Sequence, residues 1–283
     1  MDKSLFQPFQ PNPIFTMPTT LLNVLDLKTN DPIAFTFFTG YMAMLAASVF
    51  FFAERSAVEG KWKLSLLVSA LITGIAAIHY YYMRDYYLAT GKTPTALRYI
   101  DWTLTVPLMC VEFYLLTKAA GAKISLLWKL IAASVFMLVT GYIGEAFYNG
   151  PGEGTQSIIW GSLSTLGYIY ILYTAWAGEV AQLAKASGDA IVIKGIRALA
   201  WFVLVGWAIY PIGYMCMPGN LLSSFMAPSS VDLFYNIADA INKIGFGLVV
   251  YGIAVSGKSA AAVNETMPTA NAGDASRGAV RPA

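Results

Sequence analysis

The chain has one histidine, two cysteines and little charge, since only 12% of its 283 residues are Asp, Glu, Lys or Arg. One histidine and two cysteines cannot build a tetrahedral zinc site without several carboxylates, so no metal is expected. Two cysteines also exclude a disulfide framework, and Cys110 and Cys216 lie in apolar segments where a thiol behaves as a small buried hydrophobe. A net charge of +2 leaves no electrostatic footprint for nucleic acid. A soluble domain carries about 25% charged residues, roughly twice the share found here. With 57% hydrophobic residues in place of that polar coat, the composition is that of a membrane protein.

What the chain does contain is long apolar runs. Seven are long enough to span a bilayer as helices, which takes about 20 residues each. They fall near 32–54, 64–88, 95–117, 126–148, 156–178, 196–217 and 231–255, separated by short connections rich in Gly, Pro, Ser or charge. The expected fold is therefore all-α, a single seven-transmembrane-helix bundle over 31–257. Residues 1–30 have neither a basic start nor a continuous apolar stretch and read as an N-terminal segment without a cleaved signal. Residues 258–283 are rich in Ala, Gly, Asn and Pro and read as a disordered tail. One set of connections holds Arg55, Lys61, Lys63, Lys118, Lys123, Lys129, Lys185, Lys194 and Arg197, with further positive charge in the tail. The opposite set holds only Lys3, Lys28, Arg84 and Lys92. By the positive-inside rule the N-terminus is outside and the C-terminus cytoplasmic.

Ionisable groups inside a span are costly and point to function. Lys243 lies midway along the last span, too far from either end for its ammonium to reach an interface. Held in apolar surroundings, a lysine can form a Schiff base with a carbonyl cofactor. Asp239 precedes it by four residues, on the same helical face, where it can act as counterion. The third span holds Arg98, Asp101, Thr105 and Glu112. Asp101 and Glu112 are eleven residues apart, so they share nearly one face at depths differing by roughly 16 Å. Two carboxylates displaced along the membrane normal, with a lysine between them, form a proton path. The alternative is a structural polar network that holds the bundle together.

These residues are similar to those of microbial rhodopsins of the proteorhodopsin and xanthorhodopsin type. The resemblance covers all seven spans and is carried by Arg98-Tyr-Ile-Asp101-Trp102 with Thr105-Val-Pro107, by Trp207-Ala-Ile-Tyr210-Pro211, and by Asp239-Ala-Ile-Asn-Lys243. It implies that Lys243 carries all-trans retinal as a protonated Schiff base. Asp101 is then the primary counterion and proton acceptor, Asp239 and Arg98 complete the counterion cluster, and Glu112 is the cytoplasmic donor. Asp101, Thr105 and Glu112 make the three-residue signature of the family's outward proton pumps. His79 matches the histidine that pairs with the primary counterion, so the two are expected to titrate together. Phe38 stands where relatives place a tryptophan facing that histidine from a neighbouring subunit.

The resemblance further implies a retinal pocket walled by Trp102, Trp207, Tyr210 and Tyr214. Met137, Gly141, Ser164, Thr165 and Tyr168 surround the ring, Met109 occupies the colour-tuning position, and Pro211 kinks the sixth helix. Glu145 matches a Gly-Glu motif of the family without an assigned proton role. Gly161 stands where most relatives have a large aromatic, whereas members with a carotenoid antenna have glycine. A hydroxylated carotenoid, lutein or zeaxanthin, is therefore expected beside the fifth and sixth helices. The implied protein is a light-driven ion transporter and not an enzyme, and assembles as a homo-oligomer, with a pentamer favoured. Two alternatives are a sensory photoreceptor without net transport and a retinal-free transporter or receptor in which Lys243 and Asp239 are a simple ion pair.

Overall fold

The computed structural model describes residues 29–266 apart from 59, 61, 149, 151 and 218. Most of the expected outer segment 1–30, and the tail beyond 266, lie outside the described residues. The first four spans are α1 (Pro32–Glu54), α2 (Trp62–Thr90), α3 (Thr95–Thr117) and α4 (Ile124–Phe147). α5 (Gly154–Trp176) is the fifth, and the short α6 (Glu179–Ala186) follows it. The sixth span is divided into α7 (Ala190–Trp201), an irregular turn, and α8 (Ile209–Met215). α9 (Pro228–Thr266) is the last. Seven helical segments are long and apolar enough to cross a membrane, and no strand occurs among the described residues. The chain is a multi-pass membrane protein.

Local chemistry explains several boundaries. Asp31 starts α1 by accepting hydrogen bonds from the Ile33 and Ala34 amides at 3.0 and 3.1 Å, while Pro32 supplies a preset φ at the first helical position. Gly121 closes the 3₁₀ turn after α3 with φ +94°, a left-handed conformation that costs glycine little. The sixth span begins at Ala190, six residues before the expected start, because Asp189 caps it by accepting from the Ile191 and Val192 amides. α9 continues to Thr266, nine residues past the expected boundary at 257. At 1.5 Å per residue its 39 residues reach about 58 Å, well beyond a hydrocarbon core of roughly 30 Å.

The polarity of the bundle is that of a membrane protein. Val49, Phe52, Trp128 and Tyr173 face outward, whereas Arg98, Asp101, Glu112, Asp239 and Lys243 are all buried. Lipid covers the first group without cost. The second must find its partners inside the bundle.

The sixth span departs from regular helix where Pro211 was expected to bend it, but the irregularity lies earlier. Residues Phe202–Gly206 form a π-helical turn, in which the Trp207 amide donates to the Phe202 carbonyl at 3.0 Å. Proline has no N–H to offer the carbonyl four residues back, and the Trp207 carbonyl accepts from Tyr210 instead, at 3.1 Å. The carbonyls loosened by the turn find side chains on neighbouring helices. The Tyr168 hydroxyl of α5 lies 3.0 Å from both the Val203 and Leu204 carbonyls, and the Asn242 amide of α9 donates to Gly206 at 2.8 Å. Gly206 is needed there, since a Cβ would sit 2.0 Å from Asn242 Oδ1.

Candidate functional site

Side chains of α3 and α9 meet across the interior of the bundle and place Lys243 between two carboxylates. Its Nζ lies 3.0 Å from Asp101 Oδ2 and also donates to Asp239 Oδ1, one helical turn earlier on α9. Asp239 Oδ1 accepts two further bonds, from Tyr210 Oη at 2.9 Å and Trp102 Nε1 at 3.3 Å. Among the described residues the Asp101 carboxylate has Lys243 as its hydrogen-bond partner through Oδ2, and its Oδ1 has none. The three groups are 2% exposed or less, so they meet in a low-dielectric setting where an ammonium between two carboxylates is strongly held.

His79 lies beside this cluster, but its contact is not the expected hydrogen bond. Nδ1 is 2.9 Å from the Ile75 carbonyl of its own helix and 3.7 Å from Asp101 Oδ1, within electrostatic reach yet too long for a hydrogen bond. Thr105 likewise turns to the backbone, its hydroxyl donating to the Asp101 carbonyl at 2.9 Å. It fixes the α3 turn that carries Asp101 and touches neither carboxylate.

Arg98 lies about one turn before Asp101 on α3. Its guanidinium was expected to complete the counterion cluster, but its hydrogen bonds run to Asp232 Oδ1 at 2.9 Å and to Asn236 Oδ1 at 3.2 and 3.3 Å. Phe37 and Tyr235 sandwich it, their ring centres 5.7 and 5.3 Å from Cζ. Asp232 is in turn tied to Thr93 by a 2.6 Å bond. This buried pair closes the bundle at the end opposite Glu112. Removing one partner of a buried ion pair strands the other's charge, so Asp232→Ala should lower stability by about 3–5 kcal/mol. Thermal unfolding in detergent checks this, and an unchanged midpoint would show that Arg98 readily finds another partner.

Glu112 is fully buried on the other side of the Lys243 cluster, and neither of its carboxyl oxygens has a hydrogen-bond partner. Ser65 of α2 is the polar side chain facing it. Glu145 was singled out without a role; it is buried in α4 and accepts a 2.9 Å hydrogen bond from Tyr99.

A cavity of about 400 Å³ runs from Lys243 between α3, α4, α5 and the sixth span. Every residue expected to hold a cofactor lines it: Trp102, Met109, Met137, Gly141, Gly161, Ser164, Thr165, Tyr168, Trp207, Tyr210, Pro211, Tyr214 and Lys243. Tyr99, Tyr235 and Asn242 also line it and were missed, as were Asp232 and Asn236 beside Arg98. Tyr235 and Asn236 lie eight and seven residues before Lys243 on α9, so helical spacing from that lysine could have found them. The site suits an elongated apolar molecule with one reactive carbonyl end: its walls are mostly apolar and aromatic, and its single amine stands at one extremity.

Comparison with known proteins agrees with this geometry. A family model described as "Bacteriorhodopsin-like protein" matches residues 31–257. The green-light absorbing proteorhodopsin of Gamma-proteobacterium EBAC31A08 is 41% identical over 247 residues, covering 87% of this chain and 96% of that one. The blue-light absorbing proteorhodopsin of Gamma-proteobacterium Hot 75m4 is 44% identical, covering 83% and 90%. Among solved structures, Exiguobacterium sibiricum rhodopsin superposes with a TM-score of 0.69 at 34% identity over 81% of this chain and 98% of its own. Xanthorhodopsin, described as a light-driven ion pump with dual chromophore, gives 0.69 at 31% identity over 83% and 98%. With seven spans around a buried lysine and a family match that runs through all of them, the chain belongs to the bacteriorhodopsin-like family.

Proposed function

We propose that the protein is a light-driven pump that binds all-trans retinal on Lys243 and moves protons outward from the cytoplasm. The observation that carries this reading is the axial order of its buried acids. Asp101 touches Lys243, Glu112 stands alone roughly 16 Å along the same helix, and Arg98 with Asp232 closes the far end. The orphaned Asp101 Oδ1 and Asp239 Oδ2, the amine between them and the apolar walls suit retinal. Bound as an imine through Lys243 Nζ, retinal supplies light absorption, isomerisation and a transferable proton.

The protein's own groups supply direction. Asp239 accepts bonds from Lys243, Tyr210 and Trp102, which hold it in place beside the amine. Each carboxylate keeps one unpartnered oxygen, but Asp101 accepts from Lys243 alone and is the one less tied by hydrogen bonds, which suits it to receive the proton. Glu112, on the side the positive-inside rule makes cytoplasmic, returns one. Trp207 and Met109 are buried between these two levels and keep water from joining them at rest. The π-helical turn in the sixth span supplies a soft point for opening the inner side.

A carotenoid antenna extends the same reading. The cavity lining near Gly161 includes the exposed Ser162 and Ile158, so a polyene lying in that groove could approach the pocket. Gly161 also serves packing, because a Cβ there would fall 2.6 Å from Cε1 of the Tyr214 ring. One experiment tests both parts. Cells expressing the protein and supplied with retinal should acidify their medium in light, and a protonophore should abolish the signal. Cells also given lutein should gain a response to blue light. No acidification would overturn the pump and leave a photoreceptor, whereas no gain with lutein would remove only the antenna.

A further inference from the structure

Lys243 is 2% exposed, yet a membrane-dissolved cofactor must reach it. At one end of the bundle the way is shut by Arg98 with Asp232 and Asn236, and at the other by the buried Trp207, Phe113 and Phe246. The lateral wall is different. The cavity is lined by exposed residues along one seam only: Ile158 (36%) and Ser162 on α5, Ile212 (38%) on α8, and Leu221 (71%) just beyond it. Its α3 and α4 walls have no exposed residue.

Across this seam lies one side chain. The Tyr214 ring of α8 rests on Gly161, where the missing Cβ gives it room, and its hydroxyl is held 2.7 Å from the Ser157 carbonyl and 2.9 Å from Ser157 Oγ. These two contacts are the polar ties of Tyr214's side chain to α5. A rotation of Tyr214 with a small outward movement of α8 would therefore open the cavity to lipid, and α8 is joined to α7 by the irregular turn and not by continuous helix.

We propose that the seam between α5 and α8 is the portal through which retinal enters from the bilayer, with Tyr214 as its gate. This rests on the retinal reading above. Apolar walls admit the polyene from lipid without passage through water, and the aldehyde end travels inward to Lys243. There the ammonium nitrogen and the aldehyde carbon form a C=N bond, and the carbonyl oxygen leaves with two of the nitrogen's hydrogens as water. The product keeps the positive charge that Asp101 and Asp239 already compensate.

The test measures loading, independently of pumping. The protein is prepared without retinal in phosphatidylcholine vesicles, all-trans retinal is added, and growth of the visible band is followed. Ser162→Trp, which puts a bulky ring in the mouth, should slow that growth by about tenfold or more. Tyr214→Phe, which removes the latch hydroxyl, should hasten it by about threefold, the effect of losing one modest hydrogen bond. Val139→Trp, on a lipid-facing position of α4 away from the cavity, should load at the native rate. If Ser162→Trp forms a band as fast as the native chain, or forms none while Tyr214→Phe loads at the native rate, the portal is wrong and the retinal reading stands. If the native chain itself never forms a band, the retinal reading falls and the portal falls with it.

Discussion

Lys243→Ala, and equally Lys243→Arg, should yield protein that shows no visible band however long it is incubated with retinal. The two substitutions fail for different reasons, and this makes the pair informative. Alanine removes both the amine and the charge, leaving Asp101 and Asp239 to face each other without the cation that Nζ now places between them. Loss of one partner from a buried ion cluster costs about 3–5 kcal/mol, so this variant should also unfold at a lower temperature. Arginine keeps a positive charge in the cluster, but its guanidinium stays protonated and does not form an imine at neutral pH. It should recover part of the stability without the colour. No other lysine can substitute, because the remaining ones lie in the connections or near the ends of the spans, as Lys129 does at 54% side-chain exposure. The measurement is an absorption spectrum before and after hydroxylamine, alongside a melting curve. A bleachable visible band in either variant would move the attachment site away from Lys243.

The seven spans were legible because a bilayer imposes a length and a polarity that no local detail can override. The same constraint exposed Lys243, Asp101, Asp239 and Glu112, since each is an ionisable group where one is expensive. The direction of Arg98 was not legible. Its partner Asp232 lies 134 residues away, near the start of α9, and nothing in the sequence pairs the two. Only the fold, in which side chains of α3 and α9 meet across the bundle interior, shows that this carboxylate is nearer than Asp101. The π-helical turn escaped for a related reason. Proline marks a weak point in a helix, but where the slack collects depends on which side chains accept the freed carbonyls, here Tyr168 and Asn242 from two other helices. His79 lies 3.7 Å from Asp101, and its hydrogen bond to Ile75 depends on a rotamer that sequence does not specify.

Asp101→Asn should abolish pumping while leaving a coloured protein whose band is shifted to the red. Asparagine nearly matches the shape of the fully buried carboxyl, so the pocket walls and the Asp239 contacts with Tyr210 and Trp102 should survive. What is lost is the charge 3.0 Å from Nζ and an unpartnered carboxylate oxygen beside it that can take up a proton. The colour follows from electrostatics: a carboxylate near Nζ stabilises positive charge located there, and light absorption shifts that charge away along the polyene. Removing the carboxylate therefore raises the ground state more than the excited state and narrows the gap. The transport effect should be larger, because a positioned proton acceptor contributes about 10²–10⁴-fold to a transfer, enough to drop outward pumping into the background. Asp239 is the poorer substitute, since its carboxylate is fixed by Tyr210 and Trp102 through Oδ1 even though Oδ2 is unpartnered. Light-driven acidification and absorption spectra on the same preparation decide the matter. Native-rate pumping with an unshifted band would show that Asp101 is neither the acceptor nor the principal counterion, whereas a red shift with pumping retained would separate those two roles and return the acceptor to Asp239.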